Sequence, residues 1–243
     1  GDHITTGTEN TLIGALAGDA LTTGSSNTAI GLQALTSATT GQNNSVIGYQ
    51  AAYTNTTGAS NAVLGHSALY SNTIGTNNVA IGRQALYTNT EGDEQVAVGR
   101  QALYLNTTGT SNTAVGWASL SNNTTADNNT AVGYRSLYSN TGVNTENVAV
   151  GAQALESATA DTNTAVGFWA GVTTTTGTEN TMLGNRSMRA NTTGSYNVAV
   201  GRQALDANTT SSNNTAVGYQ AGYSNTTSDG NNVFIGQLSG YST

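Results

Sequence analysis

The residues that acid–base, nucleophilic or metal chemistry requires are few in this sequence and do not converge. The two histidines, His3 and His66, lie far apart in the chain, and the 243 residues include no cysteine. Catalysis needs several unlike groups held together at one place. Without such a grouping, the sequence predicts no enzyme activity and no cofactor.

The most concentrated acidic segment is Glu91–Glu94, which carries Glu91, Asp93 and Glu94. Clustered carboxylates suit a hard cation such as Ca²⁺. A calcium-binding β-roll would, however, repeat an aspartate at a fixed position, and this chain does not. We therefore favour solvated charges in a turn and predict no metal site.

A unit of about 17 residues repeats along the whole chain, and a glycine marks each copy. We number positions within a copy from that glycine, so that position −1 precedes it and position +1 follows it. The fourteen marker glycines are Gly14, Gly31, Gly48, Gly65, Gly82, Gly99, Gly116, Gly133, Gly151, Gly167, Gly184, Gly201, Gly218 and Gly236. A fixed period of this kind indicates a stacked-repeat architecture.

Each copy offers two short stretches, such as Thr-Ala-Val-Gly and Gln-Ala-Leu-Tyr, of a length and composition typical of strands. The remaining positions hold Ser, Asn, Thr and Gly, which favour turns. The recurrent glycine at position −7 suggests a backbone with positive φ. The fold class predicted is all-β: a parallel β-solenoid or β-roll with one 17-residue repeat per turn, about 14 turns, in a single repeat domain over residues 1–243.

Two polar positions vary less than the apolar ones. Position −4 is Asn in thirteen copies, including Asn27, Asn44, Asn61 and Asn78, and position +8 is Thr throughout the complete copies, including Thr39, Thr56, Thr73 and Thr90. Stacked rungs would place each such residue about 4.8 Å from its counterparts. Stacked amides can hydrogen-bond along the axis. Structural ladders are the favoured interpretation, and a functional role is the alternative.

Position −1 is always Ile, Leu or Val, and we expect these side chains to point into a thin core. Position −2 is mostly Ala, which suits the close approach of two chains. So narrow a coil has little interior of its own, and oligomerisation commonly compensates for a small core. We therefore expect association of identical chains with the alanines at the seam.

Position +1 changes from copy to copy and is the candidate surface-binding stripe. Its members are Tyr49, His66, Arg83, Arg100, Trp117 and Tyr134. Aromatic and arginine side chains are enriched at the energetic centres of binding surfaces. A second row at position +5, Tyr53, Tyr70, Tyr87, Tyr104 and Tyr138, either faces solvent or packs across a seam between chains.

Charge and hydropathy exclude two classes of partner. Only 8% of residues are charged, the net charge is −7, and no basic stripe is present, so nucleic acid is not expected as a partner. No apolar run approaches the roughly 20 residues needed to span a bilayer, so no membrane insertion is expected. The chain begins within a repeat, and we expect it to be part of a longer protein.

The segments Asn44–Gly48 (Asn-Ser-Val-Ile-Gly) and Asn78–Gly82 (Asn-Val-Ala-Ile-Gly), each followed by Ala or Ser at position +3, resemble the head repeats of trimeric autotransporter adhesins. The longer 17-residue form is similar to repeat arrays of phage-type tail-fibre proteins. This resemblance implies a parallel homotrimer located outside the cell, at the cell surface or on a virion. It also implies a structural or adhesive fibre segment, the rigid shaft or head of a surface adhesin or tail fibre, which contacts a host glycan or receptor.

Two alternatives from other classes remain. Ser/Thr-x-Thr recurs at positions +6 and +8, as in Thr54–Thr56 and Thr88–Thr90, and a regular hydroxyl array is typical of ice-binding solenoids. Leu105 and Asn122 interrupt this array at position +6. A purely structural extracellular filament is the other alternative.

Overall fold

The computed structural model describes residues 3–142, 144–225 and 230–242. The chain divides into two compact units, Gly1–Ala126 (unit 1) and Asp127–Thr243 (unit 2). No described residue is helical, and none forms a helix long and apolar enough to cross a membrane.

The described residues of each unit form seven three-residue strands, one per repeat. In unit 1 they are β1 (Thr11–Ile13), β2 (Thr28–Ile30), β3 (Ser45–Ile47), β4 (Ala62–Leu64), β5 (Val79–Ile81), β6 (Val96–Val98) and β7 (Thr113–Val115). In unit 2 they are β8 (Thr130–Val132), β9 (Val148–Val150), β10 (Thr164–Val166), β11 (Thr181–Leu183), β12 (Val198–Val200), β13 (Thr215–Val217) and β14 (Val233–Ile235).

Within each unit, successive strands pair in parallel and in register. The β5–β6 pair, for example, matches Val79 with Val96, Ala80 with Ala97 and Ile81 with Val98. A strand that pairs with its own counterpart one repeat later requires each repeat to form one turn. The predicted parallel β-solenoid with a repeat of about 17 residues is therefore confirmed.

The predicted direction of the strand side chains is wrong. The middle residue of each strand, at position −2, points inward, and Ala29, Ala80 and Ala114 have no exposed surface. The aliphatic residue at position −1 points outward, so that Ile13 is 57% exposed and Leu64 is 49% exposed. The alanines therefore do not lie at an outer seam, and the position −1 residues do not form the core.

The core is shared between position −2 and position +4, which holds fully buried leucines such as Leu35, Leu69 and Leu103. In most rungs the side chain at position +4 is the one large buried group and small residues complete the interior, although Met182 and Met188 are both fully buried in one repeat. In two places a glycine at position +4 lies against a large side chain at position −2: Gly18 against Leu12 of its own repeat, and Gly171 against Met182 of the following repeat. A Cβ on Gly18 would lie 2.8 Å from Cδ2 of Leu12, and a Cβ on Gly171 would lie 2.5 Å from Sδ of Met182.

The second predicted strand, Gln-Ala-Leu-Tyr, is instead a chain of turns with alternating backbone conformation. Gln33 has φ of 58° and Leu35 has φ of 54°, in the left-handed region that side chains other than glycine rarely occupy. The N–H groups of these two residues bond to opposite neighbouring rungs. Gln33 N donates to Ala15 O of the preceding rung, and Leu35 N donates to Ala51 O of the following rung, both at 2.9 Å.

The glycines at position −7 are required by close approach and not by positive φ, so that expectation is also wrong. Gly24 lies outside the positive-φ region. A Cβ on Gly24 would lie only 2.3 Å from the carbonyl oxygen of Gly41 in the next rung. At Gly24 the backbones of successive rungs therefore approach each other too closely for a side chain, whereas Ala126 and Ala160 occupy the same position in other repeats.

Candidate functional site

The asparagines at position −4 form a buried ladder of hydrogen bonds along unit 1. Asn61 donates from its backbone N and from Nδ2 to Oδ1 of Asn44, each at 3.1 Å, and its own Oδ1 accepts from the backbone N of Asn78 at 3.0 Å. Its Nδ2 also donates to the carbonyl oxygen of Gly75 at 3.0 Å. Asn27 takes part in the same pattern with Asn44. The side chain thus supplies hydrogen bonds that the short strands cannot.

A second asparagine ladder, at position +7, was missed from the sequence. Asn72 Nδ2 donates to Oδ1 of Asn55 at 2.6 Å and to the carbonyl oxygen of Gly75 at 3.0 Å. Asn61 and Asn72 therefore meet at one carbonyl and hold the turn from two sides. The recurrence of Asn at position +7, as at Asn89 and Asn106, is the signal that would have revealed this ladder.

The threonines at position +8 bond to the backbone of the next rung. Thr39 Oγ1 donates to Thr56 O at 3.3 Å, Thr56 Oγ1 to Thr73 O at 2.9 Å, and Thr73 Oγ1 to Thr90 O at 3.0 Å. Their backbone N–H groups donate to the same carbonyls. Thr90 Oγ1 continues the row to Thr107 O at 3.2 Å. These hydroxyls are committed to holding rungs together.

The position +1 residues of unit 1 are exposed and lie one per rung. The rings of Tyr49 and His66 have centroids 5.0 Å apart, and the guanidinium of Arg100 lies 5.8 Å from the ring centroid of Trp117. Arg83 is exposed in the rung between these two pairs. Tyr134, the last predicted member of the stripe, is exposed in unit 2. Such a row can offer repeated ring and cation contacts along the axis.

Beside this stripe runs an unbroken aliphatic row at position −1, which we call the outer aliphatic row. In unit 1 it comprises Ile13, Ile30, Ile47, Leu64, Ile81, Val98 and Val115, all half-exposed or exposed. At about 4.8 Å per rung, seven residues extend over roughly 30 Å. A contiguous exposed apolar surface on a soluble domain commonly marks an interaction site.

The position +5 tyrosines of unit 1 form a half-buried stack. Ring centroids are 5.2 Å apart for Tyr53 and Tyr70, 5.1 Å for Tyr70 and Tyr87, and 5.3 Å for Tyr87 and Tyr104. Burial, and then the neighbouring Tyr87 and Tyr53, raise the pKa of Tyr70 above its usual value. In unit 2, Tyr138 lies under the guanidinium of Arg135 at 4.2 Å. Each ring thus covers much of the next, which leaves mainly ring edges for any further contact.

The acidic turn of unit 1 is engaged in hydrogen bonds. Asp93 Oδ1 accepts from the backbone N of Thr76 at 2.6 Å and from its Oγ1 at 2.9 Å, and Glu94 Oε2 accepts from Ser111 Oγ at 3.2 Å. The described part of the chain contains no group of three His, Cys, Asp or Glu side chains that could hold a metal ion.

In the part of the chain that the structure describes, one hydroxyl contacts an imidazole. Ser67 Oγ lies 3.0 Å from Nδ1 of His66, its neighbour in the chain. A catalytic base of this kind is normally oriented by a third group. Among residues 3–142, 144–225 and 230–242, no carboxylate is hydrogen-bonded to His66, so this pair lacks the acidic partner of a triad.

These ladders, stacks and rows are properties of this chain's own geometry, and any function must be inferred from them. No protein-family model, curated protein or solved structure matches the chain.

Proposed function

We propose that this chain is a structural and adhesive fibre segment. It would form a rigid repeat shaft or head of a surface adhesin or phage-type tail fibre, located outside the cell, at the cell surface or on a virion. The observation that carries the proposal is the pairing of buried hydrogen-bonded ladders with an outer aliphatic row. The ladders bind each rung to its neighbours, which favours stiffness, and the row offers a continuous surface for lateral association.

The proposed assembly is a parallel homotrimer in which the outer aliphatic row forms the seam. Full burial of an aliphatic side chain contributes roughly 1.5–3 kcal/mol, so covering the half still exposed would add about 1 kcal/mol per rung. Parallel copies repeat with the same rung spacing, and their rows can therefore meet along their full length. This seam replaces the alanine seam expected from the sequence, because those alanines are buried inside the coil.

Contact with a host glycan or receptor is the adhesive part of the proposal. The stripe of Tyr49, His66, Arg83, Arg100 and Trp117 offers one ring or cation per rung on an exposed line of unit 1. A polymer lying along such a line would make weak contacts that add through multivalency. A spacer that only carries a binding tip located elsewhere is the simpler form of the same proposal.

The hydrogen bonds of the threonines weigh against ice binding. Thr54 Oγ1 donates to the carbonyl oxygens of Tyr70 and Asn72 at 2.9 and 3.0 Å, and Thr88 Oγ1 donates to those of Tyr104 and Asn106, each at 2.9 Å. The position +8 hydroxyls donate to backbone in the same way. Hydroxyl protons committed to the fold are not available to organise water at a flat surface.

Light scattering or sedimentation at micromolar concentration tests the trimer. The native chain is expected to have the mass of three copies. Leu64→Asp, in the outer aliphatic row, is expected to give single chains because it places charges in an apolar seam. Leu105→Asp is the matched control, since Leu105 is 37% exposed at position +6, outside the row, and this variant is expected to remain trimeric.

A native chain that is monomeric at that concentration would refute the trimer. A Leu105→Asp variant that dissociates as completely as Leu64→Asp would refute the assigned seam. Circular dichroism of both variants must retain the native spectrum, so that loss of association is separated from loss of fold.

A further inference from the structure

Unit 2 carries a run of departures from the repeat on one face. Position +5, which carries stacked tyrosines in unit 1, holds Glu156, Val172, Arg189 and Asp206 in four successive rungs. Position +2, which is Gln in half of the copies, holds Arg135, Trp169 and Arg186 in three repeats of this unit. Three of the six arginines of the chain therefore lie at these two positions. The stacking of the rungs does not require the residues that differ from the repeat.

These departures open a cleft of about 470 Å³ within unit 2, lined by Gln153, Trp169, Val172, Thr173, Arg189, Ala190 and Thr192. Val172 occupies the position that holds tyrosine in most rungs of unit 1. Its short side chain leaves room for a ring at a place where the solenoid elsewhere places one of its own. A volume of this size matches that of small-molecule sites.

The indole of Trp169 is held in place at one side of this cleft. Its Nε1 donates to Oε1 of Gln153 at 2.8 Å, and its ring stacks on Phe168 with centroids 4.8 Å apart. Gln153 Nε2 in turn donates to Oε2 of Glu156 at 2.5 Å, and Glu156 pairs with Arg135 at 2.9 Å. A chain of four polar groups therefore fixes a half-buried aromatic platform.

The guanidinium of Arg189 is equally well held. Its Nε and Nη2 donate to both carboxylate oxygens of Asp206, at 3.0 to 3.3 Å, and the side chain of Asp206 is fully buried. This pairing leaves Nη1 outside the fork. The hydrogen bond to Asp206 raises the pKa of Arg189, so the group stays cationic. Arg186 Nε lies 3.7 Å from Asp206.

The net charge of this face indicates the charge of its ligand. Arg135, Arg186 and Arg189 face Glu156 and Asp206, which leaves one net positive charge on this face of a chain whose net charge is −7. A fixed aromatic platform beside an oriented arginine suits a ring that has apolar C–H faces and an anionic substituent. A pyranose that carries a carboxylate has both features.

We propose that the cleft of unit 2 binds an acidic saccharide, with a pyranose ring stacked on Trp169 and its carboxylate on Arg189. The site goes beyond the fibre function proposed above and does not depend on it, since all its residues belong to one unit of one chain. The carboxylate can come from a sialic acid or from a uronic acid, and the experiment distinguishes these two sources.

The test is calorimetric titration of the native chain with 3′-sialyllactose, trigalacturonate and lactose. At least one acidic sugar is expected to bind, and lactose at least about tenfold more weakly, because it lacks the carboxylate. Binding of sialyllactose alone assigns a sialylated glycan, and binding of trigalacturonate alone assigns a uronate polymer. Either result supports the site.

Two variants locate the binding. Val172→Tyr restores the residue found at most position +5 sites of unit 1 and fills the cleft, so it is expected to abolish binding without lowering the melting temperature. Trp169→Ala removes the platform and should weaken binding at least tenfold. Tyr196→Ala is the matched control, since Tyr196 is a 54% exposed aromatic residue of unit 2 that lies outside the cleft and outside the position +1 stripe, and it should change affinity less than twofold.

The proposal is overturned if neither acidic sugar binds at millimolar concentration, if lactose binds as tightly as they do, or if Val172→Tyr retains native affinity. Equal loss in Tyr196→Ala and Trp169→Ala would also overturn it, because the loss would then not be specific to the cleft. The molecular mass of each variant reports on the fibre proposal separately, so failure of one proposal can be recognised without the other.

Discussion

Asn61→Ala is expected to destabilise unit 1 by about 4 kcal/mol. The substitution removes the hydrogen bonds from Nδ2 to Gly75 O and to Asn44 Oδ1, each with a net contribution of about 1 kcal/mol. It also leaves the buried backbone N–H of Asn78 without its acceptor, Asn61 Oδ1, which costs roughly 1–3 kcal/mol. Gly75 O keeps a second donor in Asn72, so it adds no further penalty.

The matched control is Asn61→Gln, because the chain itself carries glutamine at this position in one rung. Gln95 Oε1 accepts from the backbone N of Asn112 at 3.2 Å, and its Nε2 donates to Gly109 O. Glutamine can therefore still accept from the next backbone N–H and donate to the turn carbonyl, so Asn61→Gln is expected to cost less than half as much as Asn61→Ala. The remaining cost is that of one extra methylene in a packed interior.

Urea unfolding followed by circular dichroism measures the total loss. Stability in repeat proteins is partly local, so hydrogen exchange at the amide of Asn78 provides the second measurement, and its protection should fall most in Asn61→Ala. The reasoning fails if Asn61→Ala costs less than about 1 kcal/mol, or if Asn61→Gln is as destabilising as Asn61→Ala.

Two further predictions concern the glycine and tyrosine rows. Gly65→Ala should lower unfolding free energy by more than about 2 kcal/mol, because Gly65 has φ of 149° and its Cβ would lie 2.5 Å from Gly82 O; an unchanged urea midpoint would contradict this. Because the pKa of Tyr70 is raised in the fold, its protonated form favours the folded state. Its contribution is complete below the ordinary tyrosine pKa of about 10 and is lost as pH rises through its raised value. Ultraviolet titration of the native chain and of Tyr70→Phe measures the pH at which each tyrosine loses its proton. The difference between the two curves should show that Tyr70 ionises at a higher pH than an ordinary tyrosine. A difference that appears at or below the ordinary tyrosine pKa would disprove the prediction.

The repeat period and the parallel stacking could be predicted from the sequence because they depend on the spacing of residues alone. In-register pairing places similar residues next to each other, because Val96, Ala97 and Val98 follow Val79, Ala80 and Ile81 one period later. Repeats of the same length and pattern stack in register because each backbone N–H and C=O group can then hydrogen-bond to the equivalent segment of the next repeat.

The direction of the strand side chains could not be predicted by the rule that large aliphatic residues lie inside. That rule assumes an interior wide enough to hold them, whereas a turn of about 17 residues leaves room for little more than the leucine at position +4. The sequence does contain part of the signal, since Gly18 lies beside Leu12 at position −2 of its own repeat and Gly171 lies beside Met182 at position −2 of the following repeat. This compensation shows that positions −2 and +4 share one core.

Spacing along the chain was enough to establish the period, the stacking of one repeat per turn and the recurrence of Asn and Thr at fixed positions. The folded coil was needed to show that the residues at position −1 face outward and that Gln33 and Leu35 adopt positive φ. It was needed, too, to show that Val172 and Trp169 line the same cleft. These features depend on the width of the coil and on contacts between rungs, which exist only once the turns are stacked.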